Sequence, residues 1–440
     1  MASIEEVRAR VASQKMLLPE FYGRVDFEAT PERFTEDAAY AVARDRSPLG
    51  VQVTQDDLDR VRAYTLLGDI VADAYAALIP RYGFRKLIAM LTEACEKGVE
   101  AVAEAPPELA AFIHAMEAKP AWLDMDMVRE GARQELNATA HLGPFAIRGA
   151  FVATFLNKYA ALPMALTGTL SNDSAARRVN ETATFFTTTV LPGALERHGE
   201  GFKAAAMVRL MHSMVRFNAL RSGRWDPTVY GVPIPQVDQM PAGLIPIFLL
   251  SFKMLRHGRT QFTPAERAKV ELARYRCFLL GLPEDLLADT PQGIVRMMTA
   301  RSSTLRRGFD DETCGALVRA TLAAYLPPDE SLGNRVYNYV ERSFAKVFFL
   351  RHFMEGDRER GRQMGVTVTP VERLLFVLVA LWVTTRLAVF KVADAIPGVR
   401  DVANRVLVRR VRRLLVRYGH AEFTTDASKY RPAGREAAAA

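Results

Sequence analysis

Apolar residues recur along most of the chain at spacings of three and four, the period of a helix, and alternating strand-like runs are few. The pattern predicts an all-α protein. Residues 171–220 carry it most clearly, as two helices joined by a turn. The first opens at Asn172, Asp173 or Ser174, all good N-cap residues, and runs to about Val190. Leu191, Pro192 and Gly193 stop it, and a polar stretch around His198 to Gly201 leads into the second. On that second helix His212 shares a face with Val208, Met211 and Val215, and Arg209 and Arg216 flank it three residues before and four after. An imidazole so placed is either a hydrogen-bonded core residue or a metal ligand. On the first helix Arg178 and Thr182 stack one turn apart, Phe185 and Thr189 continue the face, and Glu181 stands where it can pair with Arg178. That pair reads first as a surface ion pair, and otherwise as catalytic machinery.

Around this hairpin the other elements follow. Residues 1–60 are polar and broken by Pro19, Pro31 and Pro48, an arm wrapping the body. Two apolar helices follow from Tyr64, in YTLLGDIVADAYAALI and GFRKLIAMLTEACEKGVEAVA, expected to pack as a hairpin. Pro106 and Pro107 break the chain before ELAAFIHAMEA, whose His114 reads as a core or surface residue. In 126–170, Gly143, Gly149 and several alanines make one face small, open to a second helix or a flat cofactor. Residues 221–239 are an ordered loop in which Gln236 and Asp238 cap or anchor the apolar helix after it. Thr263, Pro264 and Glu266 start another helix. Met297 and Met298 read as packing.

The C-terminal part has a different pattern. Leu374 to Thr385 is a stretch of twelve residues without a charge, followed by Arg386 and Lys391. A bilayer span through it would bury Arg386 at roughly 2.5–3.5 kcal/mol, so a buried or interfacial helix is expected. The helix after it sets Val406, Leu407, Val411, Leu414 and Leu415 among arginines, a composition suited either to an anionic membrane surface or to a solvated helix on the body.

Composition adds bounds to this picture. A chain of 440 residues, 49% hydrophobic and 25% charged, buries a large core and is not disordered. Its net charge of +8 is concentrated between Arg400 and Arg417. Cys95, Cys277 and Cys314 share no metal-like spacing and, being three, suggest no disulfide framework. The N-terminal residues have no signal-peptide core, so the chain reads as intracellular and cytoplasmic. Nucleic acid is not expected as a partner, because no recognition motif accompanies the basic block. GxSxG, HExxH and phosphate- or dinucleotide-binding glycine loops are absent as well.

The order of several short strings resembles the MpaB / latex-clearing-protein family of all-helical, haem-dependent oxygenases. These are TGTL from Thr167, Arg178 with Thr182 four later, and VRLMHSMVR around His212. Upstream come Pro120 to Asp124, Gly131 and the Tyr159/Pro163 pair; downstream come RSGRWDPTVYGVPIPQVDQ at 221–239 and FTPAERAKVELARYRCFLLGLPEDLL at 262–287. The resemblance implies a large helical domain with globin-like packing around a b-type haem. It divides the chain into an arm and hairpin at 1–105, an oxygenase core at 106–330 and a helical extension at 331–440. It makes His212 the proximal iron ligand, with Arg209 and Arg216 as the nearest cations for the propionates and Arg148 and Lys158 as further ones. It puts Arg178 and Thr182 near the distal face, with Glu181 as a general acid or base.

Two positions depart from the family. Glu181 stands where latex-clearing proteins have a lysine, and Tyr159 to Leu166 lacks their carboxylate. The implied function is therefore a haem oxygenase using O2 on an apolar, lipid-like or isoprenoid substrate, by oxidative C=C cleavage, without the rubber specificity. The alternative is a non-catalytic, membrane-associated helical protein that keeps the fold for lipid binding or assembly. Either would touch an anionic membrane peripherally through 374–418.

Overall fold

The structure is a computed structural model and describes residues 2–34, 49–166 and 172–419. Pro48, the 167–170 part of the resemblance and the side chains of Asn172 and Asp173 lie outside what it describes. The chain is all-α. Among the described residues there is no strand, only an isolated bridge between Phe34 and Leu305. The chain divides into two compact units, Met1–Gly131 with Gly193–Arg307, and Ala132–Pro192 with Gly308–Ala440.

In the first unit the organising element is the helix Glu200–Arg221, buried along nearly its whole length. The helices Ile70–Ala76, Phe84–Lys97 and Pro264–Leu279 pack against it. The stretch after Tyr64 departs from the single helix that its apolar pattern predicts. One helix ends at Thr65 and the next begins at Ile70, with Gly68 in the gap. A side chain at Gly68 would put its Cβ 1.9 Å from the Tyr22 hydroxyl, so the chain comes too close to the N-terminal arm to continue as a helix there. Ile70–Ala76 and Phe84–Lys97 then lie on the Glu200–Arg221 helix rather than forming a hairpin of their own, linked by one hydrogen bond from Tyr75 Oη to the Leu87 carbonyl. The helix start at Thr263 is as its residues predict: Thr263 and Glu266 close a capping box, with Pro264 in the first turn. Met297 and Met298 are buried packing residues.

In the second unit the helix Gly143–Ala153 packs on Leu332–Phe353, and Asn172–Thr188 packs on Ala316–Ala323 and Val399–Tyr418. The small face at Gly149 receives a helix: a Cβ there would lie 2.7 Å from the Ala345 carbonyl oxygen. The apolar core here is built from Phe151, Phe155, Val179, Leu317, Val318 and Phe349.

Candidate functional site

His212, Arg209 and Arg216 belong to the first unit; Arg178, Glu181 and Thr182 belong to the second. Each group is set by its own surroundings.

His212 is half-buried on a helix whose neighbours Met211, Ser213, Met214 and Val215 are buried. Its two flanking arginines are held by carboxylates from the Ile70–Ala76 helix and its N-cap. Arg209 donates from Nε to Asp69 Oδ2 at 2.6 Å and from Nη2 to Oδ1 at 2.8 Å, with Phe112 below the guanidinium at 5.1 Å. Arg216, with no solvent exposure, donates to Asp73, to the Pro233 carbonyl at 3.0 Å and to the Ile234 carbonyl at 2.6 Å. Tyr22 from the arm donates its hydroxyl to the same Asp73, and Asp69 also caps its helix by accepting from Ala72 N at 3.2 Å.

Both guanidiniums are thus spent on buried partners. A charged side chain inside a protein requires such a partner, because desolvation alone costs several kcal/mol per ion. Arg148 is committed in the same way in the second unit, to Glu341 at 2.7 Å and to the carbonyls of Thr321 and Ala324. Lys158 lies over the Tyr159 ring at 4.9 Å.

The two carboxylates end on opposite sides of their ordinary value. Burial raises Asp69, but the charge and hydrogen bonds of Arg209, with Arg216 beyond, outweigh it and hold Asp69 below its ordinary value. Burial pushes Asp73 up to about 6, aided by Asp69 and opposed by Arg216. Sequence reading passed over Asp69, Asp73 and Tyr22. The signal was present: two carboxylates four residues apart in an otherwise apolar run stand on one helix face and need cations if that face is buried.

The loop at 221–239 does not cap the helix after it with a side chain. Asp238 does not cap the helix Met240–Arg256; it accepts from Arg33 and Arg301, both at 3.0 Å. Gln236 accepts from Gln239 Nε2 at 2.5 Å. These contacts hold the loop whose carbonyls at Pro233 and Ile234 receive Arg216.

In the second unit Arg178 and Glu181 are both buried and pair across 3.4 Å, with Arg177 3.9 Å from the other carboxylate oxygen. The surface-pair reading of Arg178 and Glu181 is therefore removed. Burial raises the Glu181 carboxyl above its ordinary value, and the two arginines only partly draw it back. A carboxyl so shifted keeps its proton to higher pH and is suited to proton transfer. Thr182 is half-buried one position along.

Comparison with known proteins bears on what these groups serve. The chain matches no curated protein. The solved structure of latex clearing protein in the closed state is similar in fold, with a TM-score of 0.55 at 18% identity, covering 80% of this chain and 91% of that one. The family model described as ER-bound oxygenase mpaB/B'/rubber oxygenase, catalytic domain, matches residues 138–418. That match takes in the Arg178–Glu181 pair, His212 and the C-terminal helices. With well over half of its length matched, the chain belongs to the mpaB/rubber oxygenase catalytic-domain family.

Proposed function

We propose that the protein is a b-type haem-dependent oxygenase that uses O2 on an apolar, lipid-like or isoprenoid substrate, by oxidative C=C cleavage. The observation that carries this reading is the donor set. The chain belongs to an oxygenase family, whose chemistry needs a centre able to handle O2. A porphyrin supplies four nitrogens of its own and asks the protein for one axial base, and His212 is a single half-buried imidazole on a rigidly held helix. When bound, haem supplies an iron able to bind and activate O2.

The chain's own residues do the rest. His212 would hold the haem through its imidazole. Arg209 and Arg216 act on its position, through Asp69 and Asp73, rather than on propionates. Glu181 holds and passes the proton, and Arg178 orients it; Thr182 supports a water. The protein touches an anionic membrane peripherally through 374–418, where an apolar substrate is concentrated. The exposed apolar residues of that segment also favour a second reading, a membrane-associated scaffold without catalysis.

The absorption spectrum of the protein produced with haem, with and without dithionite, separates the two. A Soret band that sharpens on reduction and is lost in His212→Ala supports the oxygenase. Its absence after haem is added back leaves the scaffold.

A further inference from the structure

The Pro370–Ala395 helix has 26 residues and is long and apolar enough to cross a bilayer, about 39 Å against a hydrocarbon core of about 30 Å. Its exposed residues are not spread round it. At about 3.6 residues per turn, Val371, Leu374, Leu378, Leu381, Val389 and Val392 fall on one stripe, and all are exposed, Leu381 to 65%. Thr385 is the one polar residue within that stripe, and its hydroxyl is satisfied inside the helix by the Leu381 carbonyl at 2.8 Å. Arg373 and Lys391 border the stripe on one side and Arg386 on the other, all exposed.

The opposite face is fastened to its own unit at both ends and in the middle. Glu372 pairs with Lys346 at 2.6 Å, Asn137 donates to the Leu387 carbonyl at 3.0 Å, and Asp394 pairs with Arg133. Phe376 stacks on Phe344 at 4.8 Å. A spanning helix would have to drag these ion pairs into hydrocarbon or break them. A helix lying flat keeps them all.

The neighbouring helix Val399–Tyr418 packs against this one and exposes Arg400, Arg405, Arg409, Arg412 and Arg413 among Val402 and Val406. The apolar stripe thus has cations at both borders and an arginine-rich helix beside it. This is the charge pattern complementary to anionic headgroups over acyl chains.

We infer that the Pro370–Ala395 helix is a monotopic anchor, lying in the plane of an anionic bilayer with its outward stripe among the acyl chains and the Val399–Tyr418 arginines at the headgroups. This rests on the membrane contact proposed above and not on the haem chemistry.

The test is flotation of the full chain with vesicles of phosphatidylcholine alone or with phosphatidylserine, followed by labelling with a membrane-impermeant maleimide. The native cysteines are all buried, so Thr367→Cys and Asp401→Cys, at exposed positions beyond either end, report sidedness. The expected result is flotation with anionic vesicles, loss of it in the Leu378→Asp/Leu381→Asp double variant and weakening in Arg409→Glu/Arg413→Glu. Both introduced cysteines should label fully from outside. The substituted leucines are exposed, and an unchanged circular dichroism spectrum shows that the fold survives.

Protection of one cysteine by the vesicle would overturn the in-plane mode in favour of a span and leave membrane contact standing. Absence of flotation would overturn both, as would a dimer that the leucine variant splits, since a second copy would then cover the stripe. A His212-dependent Soret band in a chain that does not float would leave the oxygenase reading untouched.

Discussion

The helices Glu200–Arg221 and Pro370–Ala395 are of similar length, yet the one with charges at its centre is the buried one. Arg209 and Arg216 lie in the middle of the first and are covered on all sides. Residues 374–385 of the second hold no charge, and Leu374, Leu378 and Leu381 are more than half exposed. Hydropathy ranks the two in the wrong order. What decides burial is whether the polar groups on each face have partners. Asp69 and Asp73 are placed to receive the two arginines, so that helix can be enclosed without leaving a bare charge. The outward stripe of the other needs no polar partner and, among the described residues, is left largely exposed.

The largest way to break this comparison is to remove a buried cation. Arg216→Ala strands Asp73 in the core and should lower stability by about 3–5 kcal/mol, read as a fall in the denaturant midpoint; Arg209→Ala should follow it with a similar loss. A smaller effect is expected at the tether of the exposed helix. Glu372→Gln loses the charged partner of Lys346, and we expect a cost of about 1–3 kcal/mol.

That contribution should depend on pH with a definite sign. Burial raises Glu372, but hydrogen bonds from Lys346 and from Thr369 N outweigh it and hold its carboxyl below the ordinary value of 4.5. A depressed carboxylate stabilises the fold above that ordinary value and loses its contribution as pH falls through the folded one. The difference between wild type and Glu372→Gln should therefore shrink on acidification below about pH 4.5.

Glu181 carries the opposite sign. Its folded value is raised, so its contribution is present below 4.5 and is lost as pH rises through the shifted value. In turnover, Glu181→Gln should remove the ionisation that sets one limb of the pH–rate profile while leaving any Soret band in place. A preserved profile would take Glu181 out of proton transfer.

The smallest effect belongs to the stripe itself. Leu381 is 65% exposed, so Leu381→Gln should change stability by no more than about 0.5 kcal/mol. A loss of several kcal/mol would mean that the stripe is covered in solution.

Much of the candidate site was legible before the fold was known, because local rules carry it. His212 with Val208, Met211 and Val215, and Arg178 with Glu181, need only a helix to stand together, and the helices Asn172–Thr188 and Glu200–Arg221 lie close to the stretches expected for them. The family strings extended this to residues far apart in sequence, and the match at 138–418 reaches further towards the C-terminus than those strings did. The partners of the arginines were not legible. Arg209 reaches back 140 residues to Asp69, and Arg216 reaches 143 to Asp73. No periodicity encodes a pairing at that distance. The break at Gly68 was missed for the same reason, since it answers to the Tyr22 hydroxyl and not to its own neighbours.

The sequence by itself determined the all-α class, the helix starts at Thr263 and around Asn172, and the faces on which His212 and Glu181 stand. These are consequences of hydrogen-bonding geometry and side-chain spacing within a few turns. Only the tertiary structure decided that Arg209, Arg216 and Arg148 serve buried carboxylates, that Glu181 is held away from water, and that the apolar stripe of the Pro370–Ala395 helix faces outward. Desolvation is what separates the two sets. Its cost for a charge, or its gain for a leucine, depends on what the rest of the chain brings within a few ångströms, and spacing along the sequence does not contain that information.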